Sequence, residues 1–473
     1  MADRQLDAAV QDFAERFRAA LDPPAQAGVT IDRSELAARF DEPLPEHGMP
    51  VDAILADLEA RSAGGLAGGT GGRYFGYVTG GSLPAAAIVE AWTAAVDQNP
   101  GMWPLGPAGV ELEQVTLHWL ADLLDFPAES GYFGSGATMA NTVGLAVARH
   151  RFARKHGVDI IEQGVRALPE YAVYASEELH LSDHKALRTL GLGSGCVRTI
   201  PIDDRYAMRV DLLAEAIERD RARGIEPAIV IAMVGSVNTG ASDNVDAIAD
   251  VCDRHDVWLH ADGAFGAFFR LWEPAAALVE GLERADSLAV DGHKWLNVPN
   301  GVGFVLLKDA ALHRETFAGS AAYLTPGAGV NLHELGIEAS RSWRGATVWA
   351  ALKSLGRDGM VDLVTRCCVL AQGLARAVEA SPRLELTAPA PTNTVCFRYR
   401  PEGWGEGPEL DDLNRRIQAD VVAAGDVFFT GAELKNGVCQ RIAIVSWRTD
   451  EGDVQALLDA VDEAGARLAA DQS

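Results

Sequence analysis

Residues 228–260, AIVIAMVGSVNTGASDNVDAIADVCDRHDVWLH, hold two apolar runs separated by a glycine-marked loop and an amphipathic helix pattern. Ala228–Val234 and Asp256–His260 read as strands, and 244–255 as the helix between them. The same alternation extends in both directions. Upstream, helix 107–125 starts at Pro107, a good first-turn residue, and carries Val110, Leu117, Leu120 and Leu124. A strand-to-loop segment at 131–136 leads into helix 138–155. Strand Tyr171–Ser176 and helix 211–223, closed by Gly224, follow. Downstream lie strands Ser287–Asp291 and Val302–Leu307. Strands alternating with helices predict an α/β domain whose central sheet is mostly parallel, with helices on both faces. In such sheets ligands bind beyond the C-terminal ends of the strands, so chemistry is to be sought there.

The flanks differ. Leu6, Val10, Phe13, Phe17 and Leu21 recur at helical spacing over 4–21, an apolar stripe that must dock on its own chain or on a partner. Residues 64–81 hold nine glycines interleaved with Arg73, Tyr74, Phe75 and Tyr77. Such a run is either a flexible connection or a close-approach loop, and the aromatics favour the second. Helices at 342–357 and 360–379 lead away from the alternating region. Strands Val395–Tyr399 and Arg441–Val445, with helices 409–423 and 451–468, make a smaller C-terminal α+β unit.

Of the 473 residues, 48% are hydrophobic and 23% charged, the balance of a soluble globular protein. Lys and Arg total 41 against 67 Asp and Glu, a formal charge of −26. That argues against nucleic acid or an anionic membrane as partner, because both reward clustered cations. No apolar run is long enough to span a bilayer, and the N-terminus lacks the apolar core of a secretion signal. The six cysteines are scattered without a CxxC pair, which suits reduced core thiols and no metal site. A cytoplasmic enzyme is expected.

Four features fall at strand ends. Gly134-Ser135-Gly136-Ala137-Thr138 runs from strand to helix; small residues and a helix N-terminus leave N–H groups for an anion, and phosphate fits. His260-Ala261-Asp262-Gly263-Ala264 puts a carboxylate at the end of a buried strand, where it caps a helix or meets a cation. Asp291-Gly292-His293-Lys294-Trp295 puts a lysine after an apolar strand, where burial and cationic neighbours favour a nucleophilic amine over a solvated one. Ser176-Glu177-Glu178-Leu179-His180 offers an imidazole that is either structural or stacked on a flat ring. Together they suit pyridoxal 5′-phosphate, which needs a Schiff-base lysine, an acid partner for its pyridine nitrogen and a phosphate site.

The chain resembles the pyridoxal-phosphate-dependent group II amino-acid decarboxylases, which include the aromatic-amino-acid, glutamate and cysteine-sulfinate enzymes. The resemblance runs from about Met49 to Ala464. Its strongest marks are WLHADGAFG (258–266) and ADSLAVDGHKWLNVP (285–299). GRYFGYVTGG (72–81), PAGVELE (107–113), SGATMANTVGLAVAR (135–149), SEELHLSDHKAL (176–187) and TNTVCFRY (392–399) add to it. It implies the aspartate-aminotransferase-like fold type I of pyridoxal-phosphate-dependent transferases. Its parts would be an N-terminal arm and dimerisation segment (1–81), a large cofactor-binding domain (82–350) and a small C-terminal domain (351–473). It implies Lys294 as the cofactor lysine, Asp262 on the pyridine nitrogen, and Ala264 and His180 on the two ring faces. Gly136, Ala137, Thr138 and His293 would hold phosphate, with Asp291 nearby. Tyr323 stands where the family keeps the loop tyrosine that protonates Cα. A homodimer with interfacial active sites is also implied.

Departures from the family pattern bear on the substrate. Gly235-Ser236-Val237 stands in place of Gly-Thr-Thr, so Ser236 or Asn238 is left to face the cofactor's phenolic oxygen. Gly71-Gly72 replaces a His-Pro, and Ser446 stands where an Asn is expected. Gln98-Asn99-Pro100-Gly101 before Trp103 replaces an apolar pocket wall. Tyr77, Asn99 and Trp103 are the candidate substrate contacts. Gly101 would open room for a large ring, whereas Gln98 and Asn99 would suit a polar side chain; the balance leans to an aromatic amino acid. The expected reaction is decarboxylation of an L-amino acid to its amine. An aldehyde-forming oxidative deamination is the alternative, which a Phe at 323 would favour over the Tyr present. An aminotransferase, with Arg441 or Arg448 gripping the α-carboxylate, ranks below both.

Overall fold

Seven strands build the central sheet: β1 (Ser130–Gly134), β2 (Tyr171–Ser176), β3 (Val197–Ile200), β4 (Glu226–Met233), β5 (Trp258–Asp262), β6 (Ser287–Asp291) and β7 (Gly303–Leu307). The computed structural model describes residues 2–319 and 330–470. Across the sheet the order is β1-β7-β6-β5-β4-β2-β3. Neighbours from β6 to β3 pair in parallel, while β7 runs antiparallel between β1 and β6. Both faces are buried. Ile229, Ile231, Ala289 and Val305 pack with the helix Ala137–Lys155 on one side. Val230, Ala232, Leu288 and Phe304 pack with the helices Val210–Arg221 and Val245–His255 on the other. Side chains alternate faces along a strand, so a strand covered on both sides reads as a continuous apolar run, the signal in the sequence.

The helices start and stop for local reasons. Asn244 caps Val245–His255 by accepting the Ala247 N–H at 3.1 Å, and Asp256, at φ +53°, ends it. Pro107 opens the helix Pro107–Leu123. Register brings the functional strand ends to one edge. Asp262 lies opposite Ala289 in β6, Asp291 opposite Gly303 in β7, and Gly303 opposite Gly134 in β1.

Four strands form a second, antiparallel sheet: β8 (Leu384–Leu386), β9 (Thr394–Tyr399), β10 (Thr430–Leu434) and β11 (Gly437–Ala443), in the order β10-β11-β9-β8. The helices Pro408–Ala424 and Glu451–Ala470 pack against each other beside it. The two helices expected at 342–357 and 360–379 form one run, Arg344–Ala380, broken at Gly356, whose φ is +66°. The strand expected at Arg441–Val445 begins earlier, at Gly437. Strands β3, β8 and β10 and the helix Pro84–Val96 carried no usable sequence pattern. The three strands are short and largely half-buried, and the helix is apolar on nearly every face.

At the N-terminus the helix Ala2–Ala20 lies on the helix Val51–Ser62, and Arg16 pairs with Asp12 and Glu59. Leu6, Val10 and Phe13 stay exposed, as do Val51, Ile54 and Leu58. The glycine-rich segment is a close-approach loop. The Tyr74 ring stacks on Phe428 at 4.5 Å, and the Gly80 N–H donates to the His293 carbonyl at 2.9 Å. A Cβ on Gly80 would stand 2.1 Å from the Lys294 carbonyl oxygen, so only glycine fits there. No helix among the described residues is long and apolar enough to cross a membrane.

Candidate active site

Asp262, the last residue of β5, is 2% exposed. Its Oδ2 accepts the Asn141 amide at 2.9 Å and its Oδ1 the Ala264 N–H at 3.0 Å. Among the described residues no lysine or arginine forms an ion pair with it. Burying a carboxylate without a cation is costly, and a protonated pyridine nitrogen would supply the cation.

Asn141 is oriented by a chain of donors behind it. Asn141 Oδ1 can only accept, so His260 Nε2, 3.0 Å away, must carry the proton. His260 Nδ1 then accepts from the Ser287 hydroxyl at 2.7 Å, which itself accepts the Trp258 indole N–H at 3.0 Å. Complete burial holds His260 neutral by pushing its pKa down to about 4. Every donor in the chain points towards Asp262.

His180 caps the helix Leu181–Thr189. Its Nδ1 accepts the Ser182 N–H at 3.2 Å and the Ser182 hydroxyl at 2.7 Å, which places its proton on Nε2. Burial lowers its pKa, against the opposing charge of Asp262, so the imidazole is neutral.

Lys294 follows β6. Its Nζ lies 3.7 Å from Asp291 Oδ2 and 5.5 Å from the centre of the Phe265 ring. Asp291 Oδ1 accepts the Ala137 N–H at 3.1 Å and meets His293 Nδ1 at 3.1 Å. Burial works to raise the Asp291 carboxyl, but the His293 hydrogen bond, the Lys294 charge and the Ala137 N–H outweigh it and hold it below the ordinary range. The lysine turn is pinned by Asn297, whose φ is +48°. The Asn297 amide donates to the Lys294 carbonyl at 3.1 Å and the Val445 carbonyl at 3.2 Å, and its Oδ1 accepts the Trp447 N–H at 2.9 Å.

Gly136, at φ +146°, stands at the N-terminus of the helix Ala137–Lys155, which has no side-chain cap. Asp291 takes the Ala137 N–H, so the Thr138 N–H and the helix dipole are left to face an anion beside His293. Ser236 and Asn238, after β4, both bond the Glu178 carboxylate, Asn238 at 3.0 Å. Tyr77 is exposed, with its carbonyl held by Arg441 at 2.8 Å.

Asn99 and Trp103 are bonded to the 330–341 segment. Asn99 Oδ1 accepts the N–H groups of Gly101 at 3.0 Å and Arg341 at 3.2 Å, and the Trp103 N–H reaches Asn331 at 3.2 Å. Both therefore brace the 330–341 segment that follows Tyr323, and Tyr323 itself lies outside the described residues. Gly101 is a close-approach position, where an added Cβ would meet the Ala339 carbonyl oxygen at 2.1 Å.

Sequence reasoning missed Asn141, His260, Ser287, Asn297 and Glu178. Two of them left a trace. Asn141 is a polar residue amid the small and apolar positions of its helix, and His260 shares a strand face with Asp262 two residues on.

The profile of the pyridoxal-dependent decarboxylase conserved domain matches residues 34–400. The chain belongs to this family. It is 30% identical over 426 residues to the aromatic-L-amino-acid decarboxylase of Bacillus atrophaeus, covering 89% of this chain and 86% of that protein. A tyrosine decarboxylase of Oryza sativa subsp. japonica is 30% identical over 481 residues, covering 97% and 90%. A crystal structure of Oryza sativa TDC with PLP and tryptamine superposes with a TM-score of 0.90 at 22% identity, covering 99% and 98%; it shows a shared fold. As a pyridoxal-dependent decarboxylase, the chain uses pyridoxal 5′-phosphate and removes carbon dioxide from an amino acid. Asp262, buried without an ion pair to lysine or arginine among the described residues, the glycine-led helix N-terminus and the strand-end Lys294 fit that cofactor.

Proposed function

We propose that this decarboxylase acts on an aromatic L-amino acid and releases the corresponding amine. The observation that carries the site assignment is the buried Asp262 carboxylate, ordered by donors on both oxygens and without an ion pair to lysine or arginine among the described residues. Similarity to relatives named for aromatic substrates supports the substrate class. When bound, pyridoxal 5′-phosphate supplies the electron sink for the pair left at Cα as carbon dioxide departs.

The roles then divide by chemistry. Lys294 binds the cofactor's carbonyl carbon, and Asp291 steadies the lysine amine. Asp262 holds a proton on the ring nitrogen. Neutral His180 would cover one ring face without adding charge, and Ala264 would lie against the other. The N–H groups from Gly136 to Thr138, with His293, bind the phosphate. Ser236 and Asn238, organised by Glu178, face the phenolic side. Tyr323 returns the proton to Cα, and Tyr77 contributes to the substrate wall.

The exposed Leu6, Val10, Phe13, Ile54 and Leu58 support a two-fold homodimer through the N-terminal arm, with active sites at the interface. The net charge and free cysteines suit a cytoplasmic protein. The reading keeps three parts, an arm (1–81), a large domain (82–350) and a small domain (351–473), and the presence of two separate sheets supports a large and a small unit.

The test is one assay of the purified, cofactor-loaded protein against each common L-amino acid, following carbon dioxide, amine and hydrogen peroxide together. Amine without peroxide from Tyr, Trp or Phe is expected. Peroxide and ammonia would move the chain to the aldehyde-forming reaction, and turnover of an acidic amino acid would overturn the aromatic assignment.

A further inference from the structure

Asp183 lies in the first turn of the helix Leu181–Thr189, where an acidic residue ordinarily points to solvent and complements the helix dipole. Here it is turned inward and 0% exposed. Neither of its oxygens has a well-formed hydrogen bond among the described residues; the nearest donors, the Ser182 hydroxyl and its own N–H, are both committed to His180. It faces Asp262 and His180, all three offering polar atoms within 4.8 Å of one another. No lysine or arginine among the described residues forms an ion pair with it.

Two ionised carboxylates cannot meet in a buried space without donors between them. A proton on one of them removes the repulsion and turns the contact into a hydrogen bond. Asp262 already accepts from Asn141 and Ala264, which favours its ionised form. Asp183 has no donor that is not already committed to His180, so the proton belongs to Asp183. We propose that Asp183 is a buried neutral acid whose O–H donates to Asp262, making it the third donor that keeps the Asp262 carboxylate ionised and aimed at the cofactor's ring nitrogen. Burial first, and then the Asp262 charge, push the Asp183 carboxyl well above the usual carboxylate range, in agreement. Asp183 is thus a positioning residue acting through Asp262. The inference rests on the reading of Asp262 as the partner of the pyridine nitrogen.

The test uses Asp183→Asn, which keeps a donor, and Asp183→Leu, which removes it. Infrared spectra near neutral pH should show the C=O stretch of a protonated carboxylic acid in the wild type that is missing from D183N; no difference would overturn the proposal and needs no folded leucine variant. With ring-¹⁵N-labelled cofactor bound, the nitrogen shift should report a protonated ring in wild type and D183N and a move towards the neutral ring in D183L. Cofactor dissociation constants from equilibrium dialysis should stay within about threefold for D183N and rise about tenfold or more for D183L, the effect of one hydrogen bond to a charged group. D183L matching wild type, or D183N failing as D183L does, would overturn the proposal. Asp262→Asn separates the two readings. If D262N keeps a protonated ring nitrogen, the Asp262 reading itself fails; if D262N loses it while D183L does not, only the role of Asp183 falls.

Discussion

The Asn141 side chain joins Asp262 to His260: its amide donates to Asp262 Oδ2 at 2.9 Å while its carbonyl accepts from His260 at 3.0 Å. Exchanging the amide's oxygen and nitrogen would set oxygen against a buried carboxylate, so the orientation is fixed by the network. Asn141 is thereby the link through which a core tryptophan, serine and histidine hold the carboxylate in one rotamer.

Replacing Asn141 with Ala should leave Asp262 short of a charge-assisted bond and His260 Nε2–H without an acceptor. Each buried orphan costs about 1–3 kcal/mol. Cofactor affinity should fall by at least about tenfold, and the thermal midpoint should drop in the cofactor-free protein as well. Fluorescence titration with pyridoxal 5′-phosphate and melting of both forms would show it. An unchanged affinity would mean that the donors other than Asn141 suffice to hold Asp262.

His260 should make the protein acid-sensitive. Its pKa falls from about 6.5 when unfolded to about 4 in the fold. A depressed histidine binds fewer protons folded than unfolded, so its penalty is absent above the unfolded value and grows as pH falls towards the folded one. At about pH 5 that amounts to about 2 kcal/mol lost relative to about pH 7. Charging it would also force a proton onto Nδ1, which now accepts from Ser287. His260→Gln should therefore lose less of its thermal midpoint than wild type between these two conditions. Parallel declines would assign the acid sensitivity to other groups.

The sequence carried the parallel sheet and its strand-end chemistry because strands buried on both faces must be apolar along their whole length. Polar interruptions such as Asp262 and Asp291 then stand out against β5 and β6. What lay hidden was relational. Asn141 and Asn297 are ordinary polar residues until the fold brings them to partners more than a hundred residues away, and Ser287 until β6 lies beside β5. The antiparallel reversal of β7 left no mark either, since a buried strand reads alike in both directions. Asn99 is relational in the same way: its side-chain oxygen accepts the N–H groups of Gly101 and of Arg341, the second 242 residues away.

Gly80→Ala should uncouple catalysis from folding. The added methyl would approach the Lys294 carbonyl to 2.1 Å and the Asn297 amide to 2.6 Å, so the lysine turn must move. Overpacking of this kind costs about 1–3 kcal/mol, while a displacement of about 1 Å at a reacting group costs on the order of 100-fold in rate. Turnover should fall far more than stability, with a smaller change in KM. Gly69→Ala, whose methyl would meet nothing nearer than 3.8 Å, is the control and should behave as wild type. Equal behaviour of the two variants would show that the turn tolerates the shift.

Arg341 anchors the 330–341 segment to the core. Its fully buried guanidinium pairs with buried Glu113 at 2.9 Å, donates to the Phe133 carbonyl at the end of β1 at 2.6 Å, and lies 4.7 Å from the Tyr132 ring. Glu113 in turn accepts the Gly345 N–H at 3.1 Å, tying the pair to the start of the long helix. Removing one partner of such a pair strands a buried charge, at a cost of about 3–5 kcal/mol, whereas replacing both with apolar residues is often nearly neutral. Arg341→Met alone should therefore lower the thermal midpoint sharply, and adding Glu113→Leu should restore most of it. Activity gives the second reading, because the segment that Arg341 fixes is also braced by Asn99 and Trp103. The double variant should recover stability without recovering full turnover, since the bond to Phe133 is lost in both. Recovery of turnover together with stability would show that the anchor serves folding alone.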